Sequence, residues 1–206
     1  APGARGMIAR VALVLVAAML AACASTPPVP PVPAWVGPEP AALVQRIRAA
    51  GTLAANELDV QPVRDAMVED LRQQAEARHR AGEHAGAVAA LEHALSLSPD
   101  DPSLLQERAE AALWVRDAEG AARFAQRALD LGSRTGPLCR RHWTTLQVVR
   151  ELAVDRHVAL RDAARAAGAA TDVVVEHAAN AAEAAALAGD AEEEARACAV
   201  TGPPRY

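Results

Sequence analysis

Residues 68–101 read VEDLRQQAEARHRAGEHAGAVAALEHALSLSPDD, and this stretch decides the fold. Its apolar residues recur at spacings of three and four, which is the period of an α-helix. Gly82 interrupts the pattern and Pro99 ends it, and both residue types commonly break helices. The whole chain holds just three Trp, one Tyr and one Phe, so aromatic residues that favour strands are scarce. The sequence therefore predicts an all-α protein.

The same pattern returns after 34 residues. Residues 102–135 repeat it with Leu105, Ala109, Ala121, Ala125, Ala128, Leu129 and Leu131. A third unit, 140–168, follows an insertion at 136–139 and has Trp143, Leu146, Ala159, Ala163 and Ala166 in register, with Asp155 in its expected turn. Further breaks at Gly51, Gly132-Ser133, Gly168 and Gly189 predict helices of about 12 to 18 residues.

The first unit resembles the tetratricopeptide repeat, whose unit has about 34 residues. The matching positions are Leu71, Ala75, Gly82, Ala87, Leu91, Ala94, Leu95, Leu97 and Pro99. The resemblance implies helical hairpins stacked in a short right-handed superhelix, in which the small Ala75 and Ala87 let two helices cross closely. Arg116 occupies the position of the turn glycine in the second unit, which predicts an altered or strained turn. The alternative is an alanine-rich bundle without the superhelix.

The segments around the repeats complete a predicted division of the chain. Residues 41–67 form an N-terminal helical cap, residues 68–168 hold the three units, and residues 169–206 form capping helices and a tail. In this last segment we expect one helix, a break at Gly189-Asp190 and a short second helix.

The start of the chain resembles a bacterial lipoprotein signal. Arg5 and Arg10 precede a short apolar run that ends in Leu20-Ala21-Ala22-Cys23, a lipobox. The run is too short to span a bilayer, which favours a cleaved secretory signal over residues 1–22. The alternative is an ordinary secreted protein with a chance cysteine. The resemblance implies a lipid on Cys23 and, since Ala24 and not Asp follows, an outer-membrane location facing the periplasm.

Residues 23–40 are predicted to tether the folded part to this anchor. The run PPVPPVPAWVGPEP at 27–40 contains seven prolines and predicts an extended segment with no partner. Loss of Arg5 and Arg10 with the signal leaves 19 basic and 26 acidic side chains, a net charge of −7. This balance argues against nucleic acid as a partner.

The resemblance also implies a partner groove along the first helix of each unit. Carried over by position, its residues are Arg72, Glu76, His79, Arg80, Gln106, Glu110, Leu113, Trp114, Thr144, Val148 and Glu151. We expect Trp114 to anchor a partner, because exposed indoles are frequent binding hot spots. The alternative is that Trp114 packs inside the protein, against the insertion or a capping helix.

Two cysteines remain after Cys23, which favours a disulfide between Cys139 and Cys198 in an oxidising compartment. The alternative is two free thiols. His79, His84 and His93 share one repeat, and Cys139 lies three residues before His142. A zinc site needs three or four converging ligands, whereas His79 and His84 do not share a helical face, so we predict no metal.

The sequence carries no phosphate-binding glycine loop, HExxH or GxSxG motif, and we predict that the protein is not an enzyme. It predicts no cofactor beyond the lipid on Cys23. The favoured function is an outer-membrane scaffold that binds envelope proteins through the groove, as an adaptor or assembly factor. The alternatives are a self-associating structural lipoprotein, with a second copy of the chain as partner, and a periplasmic protein that binds a metal or another ligand.

Overall fold

The computed structural model describes residues 31–53, 57 and 63–199, and this part of the chain is all-helical. The predicted signal at 1–22, Cys23 and the C-terminal tail from residue 200 lie outside the described residues. Seven helices run through the described ranges: α1 (Pro40–Ala50), α2 (Ala66–Arg80), α3 (His84–Leu97), α4 (Pro102–Trp114), α5 (Ala118–Leu131), α6 (Pro137–Ala166) and α7 (Thr171–Ala197). The predicted all-α class is confirmed.

Aspartates and prolines explain where several helices begin. Asp65, Asp101 and Asp117 precede α2, α4 and α5, and their carboxylates accept hydrogen bonds from backbone amides of the first turn. Such N-caps satisfy amides that have no partner within the helix. Pro40 and Pro137 stand at the starts of α1 and α6, where a missing N–H costs nothing.

Three hairpins follow one another along the chain, and each turns through one residue in the left-handed conformation. These residues are Gly82 (φ 78°), Arg116 (φ 61°) and Gly168 (φ 67°). Each turn also closes with a pair of backbone hydrogen bonds of the same pattern. One bond of the pair runs from Glu83 N to Arg78 O in the first turn and from Asp117 N to Ala112 O in the second. Among the described residues Arg116 is the one non-glycine with positive φ, so the strain expected at that turn is present.

The predicted turn at Asp155 is wrong. Helix α6 runs unbroken for 30 residues through that position, and the third hairpin turns at Gly168. The segment between Pro137 and Gly168 contains no glycine or proline, so nothing in its backbone interrupts the helix. The spacing of the alanines suggested a third unit of the usual length. The first helix of that unit instead continues until just before Gly168, the next helix-breaking residue.

The predicted break at Gly189-Asp190 is also wrong, because α7 continues from Thr171 to Ala197. A glycine inside a helix costs only about 1 kcal/mol relative to alanine. Helices α6 and α7 pack against each other along an extensive interface, which outweighs that cost. The third hairpin is therefore much longer than the first two.

Helix α1 does not stack at the end of the array. It lies across α4 and α6, and its Leu43, Val44 and Ile47 join a buried cluster with Leu113 and Val148. This placement puts α1 over the face that the first helices of the second and third hairpins present.

The described end of the proline-rich segment also packs on the folded part. Trp35 contacts the cluster under α1, and its ring lies 5.7 Å from the guanidinium carbon of Arg116. Arg116 pairs with Glu39 at 2.9 Å. Gly37 lies so close to Leu152 that a Cβ there would clash with its side chain. Residues 35–39, at the end of the predicted tether, therefore pack on the folded part.

Candidate functional site

A cavity of about 350 Å³ opens between α2 and α4. Of the predicted groove residues, Arg72, Glu76, His79 and Trp114 line it. The sequence reasoning missed the other lining residues, which are Arg48, Gly51, Ala75, Ala87, Leu91, Glu107, Ala111 and Arg141. Three of these are alanines, and their small side chains leave the space that the cavity fills.

The remaining predicted groove residues do not line this cavity. Arg80 is exposed. Gln106, Glu110, Leu113, Thr144 and Val148 are all buried, each at most 5% exposed. Glu151 is partly exposed and pairs with Arg46 of α1. The expectation that α4 and α6 present these side chains on an open surface is wrong, because α1 covers that face.

One wall of the cavity is formed by His79 and Trp114, and the ring of His84 packs against both. The indole of Trp114 packs nearly parallel to the His84 ring, with centroids 4.7 Å apart, and edge-on to the His79 ring at 4.3 Å. The two histidine Nδ1 atoms lie 3.1 Å apart, so one donates a hydrogen bond to the other. The turn at Gly82 folds α3 back on α2, which brings together two histidines that share no helical face.

The environment of this cluster disfavours added positive charge. Burial lowers the pKa of His79 below its usual value, and the nearby charges of His84 and Arg48 lower it further. The indole Nε1 of Trp114 is buried and has no hydrogen-bond partner among the residues that the structure describes. Trp114 thus packs against two histidines of the first hairpin and is also part of the cavity wall.

The charges beside the cavity separate into two groups. On one side Arg48 and Arg141 both bind the carboxylate of Glu110, with Arg48 Nε 2.8 Å from Oε2 and Arg141 Nε 3.1 Å from Oε1. On the other side Arg72 lies between Glu69 and Glu107, at 2.8 and 2.7 Å. Burial raises the pKa of Glu107. Glu110 thus pairs with two guanidinium groups, and Arg72 pairs with two carboxylates.

A buried polar network continues from Glu110 into the protein. Gln106 donates from Nε2 to Glu110 at 3.0 Å and to the Thr145 hydroxyl at 2.9 Å. Its Oε1 accepts from His142 Nδ1 at 2.7 Å. Burial, with the charge of Arg141, lowers the pKa of His142 to about 3. Gln106 and Glu110 lie four residues apart on one side of α4, and this spacing was a signal that could have predicted their hydrogen bond.

The structure places the sulfur atoms of Cys139 and Cys198 1.97 Å apart, a disulfide bond, as the sequence predicted. Both residues are buried. The bridge joins the first turn of α6 to the end of α7, where Gly136 N also donates to Cys198 O at 2.7 Å. It therefore closes the third hairpin at the end opposite its turn.

Of the candidate metal ligands, His79 and His84 meet, but the others do not join them. The disulfide occupies Cys139, the Gln106 network holds His142, and His93 is exposed. Within residues 31–53, 57 and 63–199, no group of three or more His, Cys, Asp or Glu side chains could hold a metal ion. Within the same ranges, no helix combines the length and apolarity needed to cross a bilayer.

Compared with protein-family models and with curated proteins, the chain matches none.

Proposed function

We propose that this protein is a scaffold that binds another protein through the cavity between α2 and α4. The observation that carries the proposal is the cavity wall at Trp114. Its indole is half-buried beside a space of about 350 Å³, and the buried Nε1 has no partner in the described structure. A partner side chain that enters this space would gain apolar contact with the ring and the alanines below it.

The arrangement of the site supports a polypeptide as the ligand. The cavity lies between the first helices of two successive hairpins, as the tetratricopeptide resemblance implies for a partner groove. The cationic side of the cavity, at Arg48 and Arg141, offers hydrogen-bond donors to peptide carbonyl groups. Its acidic side, at Glu107 and Glu76, offers acceptors to peptide N–H groups. We further propose that the hairpins stack as a short right-handed superhelix.

We also propose that the chain is anchored to the outer membrane through a lipid on Cys23 and faces the periplasm. The lipobox at 20–23 supports this proposal. Metabolic labelling with a palmitate analogue tests it, since the full chain should incorporate label and its Cys23→Ala variant should not. Equal labelling of the two chains would contradict the lipid anchor.

Site-specific crosslinking of the full chain tests the scaffold. A photoreactive amino acid at Glu76, on the cavity wall, should crosslink to envelope proteins that do not react with the same group at His93, which is exposed on α3. The Trp114→Ala substitution should abolish the Glu76 crosslinks while the thermal midpoint shows that the variant is folded. Identical products from positions 76 and 93, or Glu76 products that survive Trp114→Ala, would contradict a binding site in this cavity.

A further inference from the structure

Helix α1 is seated on the α4/α6 face as a ligand helix would be. Its apolar residues Leu43, Val44 and Ile47 are buried against Leu113 and Val148. The opposite side of α1, with Ala41, Ala42, Gln45 and Ala49, is exposed. The helix therefore makes its apolar contacts through a single stripe, as amphipathic helices do when they bind in grooves.

Charged groups of the face complement α1 at three places. Glu151 accepts from Arg46 Nη2 at 2.8 Å, and the buried Glu110 accepts from Arg48 Nε at 2.8 Å. Arg140 donates from Nε to the carbonyl of Ala50 at 2.8 Å, at the C-terminal end of α1. A cation at this end also complements the partial negative charge of the helix dipole. The face thus recognises both the side chains and the direction of the helix.

The helix is short enough for docking to decide its stability. It contains 11 residues, and an isolated helix of this length is marginal in water. Its helical neighbours are α4 and α6, whereas α4 itself also packs on α3 and α5. Elements with few buried contacts open locally before the rest of a protein unfolds.

We propose that the α4/α6 face is a helix-binding site that α1 occupies in the resting protein and that an amphipathic helix of a partner protein enters by displacing α1. The fitting helix carries aliphatic residues in the positions of Leu43, Val44 and Ile47 and basic residues in those of Arg46 and Arg48. This site is separate from the cavity proposed above and does not depend on its function.

The two sites are coupled through α1. Arg48 and Gly51 line the cavity, so displacement of α1 removes part of the cavity wall. A cavity ligand that contacts Gly51, just beyond the end of α1, therefore favours docked α1, and a partner helix that supplies no equivalent of Gly51 disfavours that ligand. By thermodynamic linkage the two effects are equal in size.

Hydrogen exchange on the full chain provides the first test. Amides of α1 should exchange about tenfold or more faster than those of α4 and α6, because α1 opens separately. Equal protection of α1 and α4 would overturn the proposal, since α1 would then leave the face only when the protein unfolds.

Peptide binding provides the second test. The probe is a fluorescein-labelled peptide with the sequence of residues 35–52, added to the full chain with Ile47→Asp, which places a charge in the apolar stripe and undocks α1. The peptide should bind this variant about tenfold or more tightly than the wild-type chain, because the attached α1 no longer competes at high effective concentration. The Gln45→Ala variant, changed on the exposed side of α1, should behave as wild type.

A peptide that itself carries the Ile47→Asp change should not bind any of these chains. Failure of the unmodified peptide to bind the Ile47→Asp protein, with helical content and the Cys139–Cys198 bridge intact, would overturn the proposal. Equal binding of the unmodified peptide and the Ile47→Asp peptide would also overturn the proposal.

Discussion

Gly82 and Arg116 lie 34 residues apart and hold the same left-handed backbone conformation, with φ of 78° and 61°. Each residue ends the first helix of a hairpin. The second helix, α3 in one hairpin and α5 in the other, then packs back on the first. In the first hairpin this brings His84 against His79. One of the two positions satisfies this conformation with glycine, and the other holds a strained arginine whose side chain pairs with Glu39.

Alanine substitutions at two glycines should have opposite effects on stability. A Cβ at Gly82 or at Gly189 would meet no atom of the described residues within 4 Å, so packing does not distinguish the two positions. Gly82→Ala should lower the free energy of unfolding by about 1–2 kcal/mol, because alanine is strained in the left-handed region. Gly189→Ala, inside α7, should raise it by about 0.5–1 kcal/mol. Urea unfolding of both variants measures these effects, and a neutral Gly82→Ala would contradict the turn geometry.

Stability should fall as the pH is lowered, through His142. The folded protein keeps this side chain neutral down to a pKa of about 3, whereas an unfolded histidine binds a proton near pH 6.5. The unfolded chain therefore binds more protons between these values. From pH 7 to pH 5 the free energy of unfolding should fall by about 2 kcal/mol.

The His142→Asn variant isolates this effect, since Asn retains a donor for Gln106 and does not titrate. Its stability should depend much less on pH over the same range. His93→Asn, at an exposed position, should keep the wild-type slope. An unchanged slope in His142→Asn would show that other groups cause the pH dependence.

Removal of the Glu110 carboxylate should destabilise the protein. Glu110 is 1% exposed and accepts hydrogen bonds from Arg48, Gln106 and Arg141. Glu110→Ala leaves these donors without their acceptor, and we expect a loss of about 2–3 kcal/mol in the free energy of unfolding. Glu193→Ala, exposed on α7, should change it by less than about 0.5 kcal/mol. Similar losses in both variants would argue against the buried network.

The Cys139–Cys198 bridge should contribute strongly to the stability of the third hairpin. It links residues 59 apart, for which the chain-entropy model gives about 4 kcal/mol. The double Ala variant should lose this amount in denaturant unfolding, and a reductant should destabilise the wild type but not the variant. A loss below about 1 kcal/mol would indicate that the α6/α7 interface alone orders the reduced hairpin.

Short-range patterns in the sequence predicted much of the fold. The helical period, the turns at Gly82 and Gly168 and the break at Pro99 all appear in the structure. Strain at Arg116 was also predictable, because its position in the repeat identified the conformation it must adopt. The error at Asp155 came from assuming a repeat length where no helix-breaking residue enforces one, and the error at Gly189 came from treating a glycine inside a well-packed helix as a break.

The candidate site was less predictable, because its residues come from distant parts of the chain. The sequence by itself determined an all-helical chain, most helix ends and the pairing of its described cysteines, since periodicity, capping and composition act over a few residues or through simple counting. The tertiary structure decided that α1 covers α4 and α6, that Gln106 and Glu110 are buried, and that His79 and Trp114 line one cavity. These outcomes depend on which helical faces pack together, and that is a balance of long-range burial and charge pairing that no local pattern encodes.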